Sequence, residues 1–147
     1  MKKLITILLL VITVSAQAQR FDYKESLKAI GIITTSIVFD AMGDAYNDSG
    51  SKVLGHSLNA ASVGILVASP FILKIPTYKW GWYAASYIGF RVALFDPIYN
   101  VTRGLDINYI GDSSLWDKSL QKQDPNWIMA ARGLCFTVAI SIPIKEF

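Results

Sequence analysis

The chain is poor in cysteine and in charge, and each shortage excludes a class of protein. Cys135 is the only cysteine among 147 residues, so no intrachain disulfide can form. Charged residues make up 17% of the chain, below the roughly 25% that is usual for soluble domains. With 52% hydrophobic residues, the composition excludes disorder, and no clustered basic surface points to nucleic acid. It favours a protein that resides in a membrane.

The first 18 residues have the three parts of a secretory signal peptide. Lys2 and Lys3 form a basic start, residues 4–14 are mostly apolar, and small residues then lead to a cleavage site after Ala18. The alternative is an uncleaved signal anchor. The style of the leader is bacterial, so we predict export of a single domain, 19–147. Its expected location is the inner membrane of the cell envelope, with the outer membrane as the less favoured alternative.

Four apolar segments follow the leader and are separated by short polar stretches. Residues 53–73 contain no Asp, Glu, Lys or Arg, and 21 residues match the length of a helix that crosses about 30 Å of hydrocarbon. A short additional helix is expected to begin at Ser114, which would cap it together with Asp117. The predicted fold is therefore all-α, a small bundle of about four hydrophobic helices embedded in a membrane. The helices are expected near 26–46, 53–73, 80–100 and 127–144.

Small residues recur every four positions on the second and third segments. On a helix this spacing forms a smooth stripe through which membrane helices pack closely. We therefore expect both stripes to lie at helix interfaces. The two stripes are Ala60, Gly64 and Ala68, and Ala85, Gly89 and Ala93.

Aromatic residues cluster where the third segment begins, and such rings favour the boundary between hydrocarbon and water. They are Tyr78, Trp80, Trp82 and Tyr83.

One pattern favours a strand instead of a helix. From residue 134 to 144 every even position carries a large apolar side chain, and this period of two is typical of a strand. The chain also ends in Phe147, as outer-membrane barrels often do. A barrel needs at least eight such strands, and segment 53–73 does not alternate. The barrel is the alternative to the helical bundle.

Polar residues inside the apolar segments are the candidate functional residues. An ionisable side chain costs about 2.5–3.5 kcal/mol at the centre of a membrane helix, so each one requires a partner or a function. We predict that these residues form a polar cluster between helices. The candidates are Asp40, Asp44, His56, Asn59, Arg91, Asp96 and Asn100.

Two interpretations of this cluster remain open. In the structural one, Arg91 pairs with Asp40 or Asp96 across helices, and Asp44 lies in a water-exposed loop with neighbouring residues 47 and 48. In the other, Asp40, Asp44, His56 and Asp96 hold a divalent metal such as magnesium. The apolar segments contain no glutamate and only one histidine, which excludes a di-metal carboxylate bundle and disfavours zinc. We favour the structural interpretation and expect no cofactor.

The third segment and the residues that follow it also carry a recognisable pattern. Residues 91–100 read RVALFDPIYN, and Arg103-Gly104 and 109–111, Tyr-Ile-Gly, follow. This pattern resembles that of a group of uncharacterised small bacterial and bacteriophage proteins with the same style of leader. The resemblance extends to Asp40, Gly43, Asp44, Gly55, His56, Asn59 and the closing Ile-Ser-Ile-Pro, but implies no activity.

The sequence leaves three hypotheses for function. The first is a non-enzymatic membrane component that contacts membrane lipids and associates with copies of itself or with another membrane protein. The second is a membrane-embedded, metal-dependent hydrolase or transferase acting on lipid phosphates. The third is a pore or holin-like permeabiliser. The absence of a phosphate loop or dinucleotide fingerprint favours the first.

Overall fold

The computed structural model describes residues 23–111 and 115–146, and every regular element in them is helical. The predicted all-α bundle is confirmed, and the four long helices begin and end within three residues of the predicted positions. The signal peptide, Ser114 and Phe147 lie outside the described residues. The helices are α1 (Tyr23–Asp48), α2 (Lys52–Ile72), α3 (Trp80–Thr102), α4 (Leu115–Leu120) and α5 (Pro125–Glu146), with a 3-10 turn at Thr77–Lys79.

The strand alternative for residues 134–144 is wrong, because this stretch lies within α5. The start of α5 explains the outcome. Pro125 occupies the first helical position, where its fixed backbone angle suits a helix, and the Asp124 side chain accepts a hydrogen bond from the backbone N–H of Asn126 at 2.8 Å. The strong helix start therefore outweighs the alternation of large and small side chains at 134–144, which had favoured a strand.

Helix α1 lies at the centre of the bundle. It packs against α2 and α3, while α3 packs in turn against α5. The three-residue connection from α1 to α2 makes these two helices antiparallel neighbours. The apolar core joins Ile33 and Ile37 of α1 with Tyr83 and Phe90 of α3 and Ala139 of α5.

Small residues spaced by seven, not by four, form the contact between α1 and α2. The buried residues of α2 are Gly55, Ser62 and Ser69. The Ser36 hydroxyl of α1 donates to the Ser62 carbonyl at 3.0 Å. A seven-residue spacing is close to two full helical turns, so these side chains stay on one face.

The predicted packing stripe on α2 is therefore wrong. Ala60 is exposed, and a Cβ added to Gly64 would meet nothing within 4 Å. Gly64 follows Ser62 by two positions, about 200° around the helix, and so faces outward.

The stripe on α3 is correct in part. A Cβ on Gly89 would lie 2.9 Å from the Ala139 Cβ of α5. Ala93 is also buried, whereas Ala85 is exposed.

Three of the long helices are apolar enough to cross a membrane, and most of their surface faces outward. Buried residues make up only 22% of the apolar span of α2 and 17% of that of α5. By the same measure, α3 is not among the candidate spans in the described part of the chain, although the sequence favoured it. Its Trp and Tyr residues, with Arg91 and Asp96, lower its mean hydropathy. The three candidate spans are Lys24–Asp48, Lys52–Ile72 and Pro125–Ile142.

The first three long helices end in the same hydrogen-bonded turn. In each, a residue just beyond the helix has a positive φ, and its N–H and the next one bond back to carbonyls of the last turn. That residue is Gly50 after α1 (φ 90°) and Gly104 after α3 (φ 69°), but it is Lys74 after α2 (φ 52°). A side chain in this left-handed region costs roughly 1–2 kcal/mol relative to glycine. Lys74 therefore occupies a position where the two equivalent turns of this chain have glycine.

We expect Lys74→Gly to raise the free energy of unfolding by about 1 kcal/mol, because it removes this backbone strain. The matched change in the opposite direction is Gly104→Ala, which should lower it by a similar amount. Denaturant titration of the purified variants in a mild detergent, followed by circular dichroism, measures both. A loss of stability in Lys74→Gly would contradict the assignment of strain to this turn.

Candidate functional site

The polar side chains collect toward one end of the bundle, which we call the polar end. It is formed by the end of α1, the start of α2, the end of α3 and the described parts of the connection, residues 103–111 and 115–124. The apolar core lies nearer the opposite end. Four sets of contacts, described in turn, involve six of the seven predicted polar residues, all except His56.

An ion pair joins α1 to α3 within the bundle. The Arg91 guanidinium of α3 contacts the Asp40 carboxylate of α1, so Arg91 takes the first of the two partners that the sequence allowed. The guanidinium also lies 4.2 Å from the centre of the Phe95 ring, a favourable cation–π geometry. Asp40 lies eight residues before the end of α1, roughly 12 Å along the helix.

A second ion pair joins α3 to α5. Arg132 Nη2 of α5 donates to Asp96 Oδ2 at 2.6 Å. Arg132 is only 7% exposed, whereas the Asp96 side chain is 43% exposed. The candidate set lacked Arg132, although a second guanidinium inside an apolar segment was the signal that could have placed it there.

The third contact is reciprocal and involves two glycines and two asparagines. A Cβ on Gly43 of α1 would collide with the amide oxygen of Asn59 of α2, and a Cβ on Gly55 of α2 would collide with that of Asn47 of α1. Each helix thus carries a glycine followed four residues later by an asparagine that covers the glycine of the other helix. A Cβ on Gly55 would also lie 2.7 Å from the Gly43 carbonyl oxygen. The backbones approach as closely as glycine permits.

The same contact places two residues of the candidate region. Asn59 Nδ2 donates to Asp44 Oδ1 at 2.8 Å, which fixes the amide orientation of Asn59. Asn47 and Asp44 belong to α1, so the expectation that they lie in a loop is wrong. The helix extends to Asp48, and the connection to α2 needs only residues 49–51.

The fourth set of contacts holds the connection after α3. Asn100 is 2% exposed, and its Nδ2 donates to the carbonyls of Ile107 at 3.2 Å and Tyr109 at 2.7 Å. Beside it, the Tyr99 hydroxyl donates to Asp48 Oδ2 at 2.5 Å. Sequence reasoning found Asn100 and missed Tyr99, whose partner lies 51 positions earlier in the chain.

A cleft of about 850 Å³ opens at the polar end, between α1, α2, α3 and the connection. His56 lies here, exposed near the start of α2 and not between helices as predicted. Among the described residues, no three His, Cys, Asp or Glu side chains are grouped closely enough to hold a metal ion. Asp40, Asp44 and Asp96 are instead engaged by Arg91, Asn59 and Arg132. The cleft walls include Asp44, Asp48, His56, Asp96, Tyr99 and Asn100.

Comparison with known proteins adds no homologue to this description. No protein-family model matches the chain, and no curated protein or solved structure matches it. Function has to be inferred from the arrangement itself. That arrangement pairs Asp40, Asp44 and Asp96 with groups of neighbouring helices, and it leaves the amide oxygens of Asn47 and Asn59 buried without a hydrogen bond at the α1–α2 contact.

Gly43→Ala is expected to lower the free energy of unfolding by about 2 kcal/mol or more, because its methyl group collides with Asn59 and with the facing backbone. Gly133→Ala in α5 is the control, since a Cβ there meets nothing within 4 Å and alanine favours a helix by about 1 kcal/mol. Thermal unfolding of both variants in detergent measures the difference. Equal stabilities would show that α1 and α2 do not approach this closely.

Asp96→Asn should destabilise the bundle more than Arg132→Met. The first change leaves a buried guanidinium without its counter-ion, which typically costs about 3–5 kcal/mol. The second leaves a carboxylate that already contacts the cleft and can be hydrated. Unfolding measurements on the two single variants test the order, and a larger loss in Arg132→Met would contradict the asymmetric burial of the pair.

Proposed function

We propose that this chain is an exported integral membrane protein of the bacterial cell envelope, located in the inner membrane. In this proposal it is a non-enzymatic structural or interacting component that contacts membrane lipids. It associates with copies of itself or with another membrane protein. The polar network between its helices holds the bundle together.

The observation that carries this proposal is the distribution of apolar surface. Large apolar side chains are exposed along α2 and α5, where water would have to solvate them in a soluble protein. They include Val63 (59% exposed), Val67 (63%) and Phe71 (67%) on α2 and Met129 (51%) on α5. Helices of this length satisfy their own backbone groups in hydrocarbon.

The pairing of charges supports the same environment. Asp40 with Arg91 and Asp96 with Arg132 are ion pairs between different helices. In hydrocarbon an unpaired charge is costly, and intramembrane ionisable residues usually face the bundle and pair with one another. These pairs account for the charged residues without assigning them to catalysis.

Membrane fractionation tests the proposal directly. The full chain with its own leader is expressed in a bacterial host, inner and outer membranes are separated, and each is washed with alkaline carbonate. We expect retention in the inner membrane, a shortened chain beginning near residue 19 by mass spectrometry, and a helical circular dichroism spectrum after solubilisation.

Two outcomes would overturn the proposal. Release by carbonate would show that the apolar faces are covered in a soluble or peripheral assembly. Retention in the outer membrane would contradict the proposed compartment. A dye-release assay on reconstituted vesicles is the matched functional control, because a structural component causes no leakage whereas a permeabiliser does.

A further inference from the structure

The end of the bundle opposite the polar end carries basic and aromatic residues together. No Asp or Glu occurs between Asp48 and Asp96, so the connection from α2 to α3 is purely cationic. It presents Lys74 and Lys79 beside Tyr78, which is 79% exposed, and Trp82, which is 53% exposed. This combination is typical of protein surfaces at the level of lipid headgroups.

Lys74 occupies its position at a cost in backbone energy. The equivalent turns after α1 and α3 use glycine, and only the turn after α2 places a side chain at positive φ. Strain at a single residue points to a role for its side chain. The side chain concerned is an exposed ammonium group that follows the last apolar turn of α2.

An apolar groove of about 990 Å³ runs between α1 and α2 and reaches this end. Its walls include Ile32 of α1 and Ile65 of α2, and it reaches Ile72 and Leu73, directly before Lys74. Gly31 and Gly64, which also line it, have open space where a side chain would be. The outward-facing Gly64 thus contributes to a groove.

We propose that this groove and the adjoining Lys74 bind an anionic phospholipid, with an acyl chain between α1 and α2 and the phosphate at Lys74. The inference rests on the proposed membrane location. Charge complementarity selects the occupant, because Lys74 presents an exposed ammonium group directly after the groove and a lipid phosphate carries the opposite charge. A second copy docked through the same face would bring the same basic residues together.

Lys28 and Glu25 mark the rim of the groove on α1, where Lys28 Nζ donates to Glu25 Oε1 at 2.5 Å. Because Glu25 balances the charge of Lys28, the proposed headgroup site lies at the α2–α3 connection and not at the start of α1. A lysine near an anionic membrane surface contributes about fivefold to binding, so the effect of Lys74 is measurable.

Native mass spectrometry of the protein in a neutral detergent tests the proposal. The protein is titrated with phosphatidylglycerol, with phosphatidylcholine of the same acyl chains, and with glycerol phosphate alone. We expect phosphatidylglycerol to bind at least about fivefold more tightly than phosphatidylcholine, and glycerol phosphate to leave no adduct. Lys74→Gly should reduce the preference for phosphatidylglycerol about fivefold without loss of fold, because glycine suits this turn better.

Filling the groove tests the acyl-chain site separately. Gly64→Leu should weaken binding of both lipids, and Gly133→Leu on α5 is its matched control because that position is equally open. Lys52→Gln at the polar end is the control for Lys74→Gly. Both controls should bind phosphatidylglycerol like the unmodified protein.

Several results would overturn the proposal. Equal binding of the two lipids, or equal losses in the Lys52 control, would remove the headgroup site. Binding of glycerol phosphate would indicate a free anion instead of a lipid. A lipid-free dimer that dissociates in the Gly64→Leu variant would identify a second copy as the occupant.

Insertion into neutral phosphatidylcholine vesicles is measured in parallel. Failure to insert contradicts the membrane location itself, whereas insertion without lipid preference contradicts only the lipid site.

Discussion

The close approach of α1 and α2 is the constraint on which the rest of the bundle depends. Gly43 and Gly55 leave no room for a side chain, and Asn47 and Asn59 fill the space around them. This contact fixes the position of α1, against which α3 then packs through its apolar core. It also brings the asparagine of α2 to Asp44. In the proposed membrane location, burial from water does not drive apolar helices together, so close backbone packing supplies the attraction.

The two ion pairs extend this arrangement to the other helices. Asp40 with Arg91 sets α3 against α1, and Asp96 with Arg132 sets α5 against α3. Each pair places opposite charges on two different helices, so a shift of either helix along its axis separates the charges. The pairs therefore specify register, while the apolar residues supply most of the packing surface. This division explains how a bundle with so few charged residues positions four long helices.

The two ends of the molecule have different chemistry, and this follows from the topology. Four long helices alternate in direction, so the α1–α2 connection and the α3–α5 connection share the polar end. The α2–α3 connection lies at the other. The α3–α5 connection carries four aspartates and α1 ends in Asp48, whereas the α2–α3 connection has no acidic residue and carries Lys74 and Lys79. The strained turn at Lys74 and the groove beside it belong to this basic end. One end has carboxylate and amide side chains around a cleft, and the other has exposed lysine and aromatic side chains.

The sequence by itself determined the helical class and the positions of the four long helices. Apolar segments of about 20 residues, separated by short polar stretches, favour helices because a helix satisfies its own backbone hydrogen bonds. It also identified most polar residues of the interhelical network. Only the tertiary structure decided their partners. Arg132 and Tyr99 find carboxylates that lie 36 and 51 positions away, and Gly64 faces outward although its spacing suggested an interface. Spacing along one helix states which residues share a face, but the rotation of that helix against its neighbours depends on contacts between segments distant in the chain.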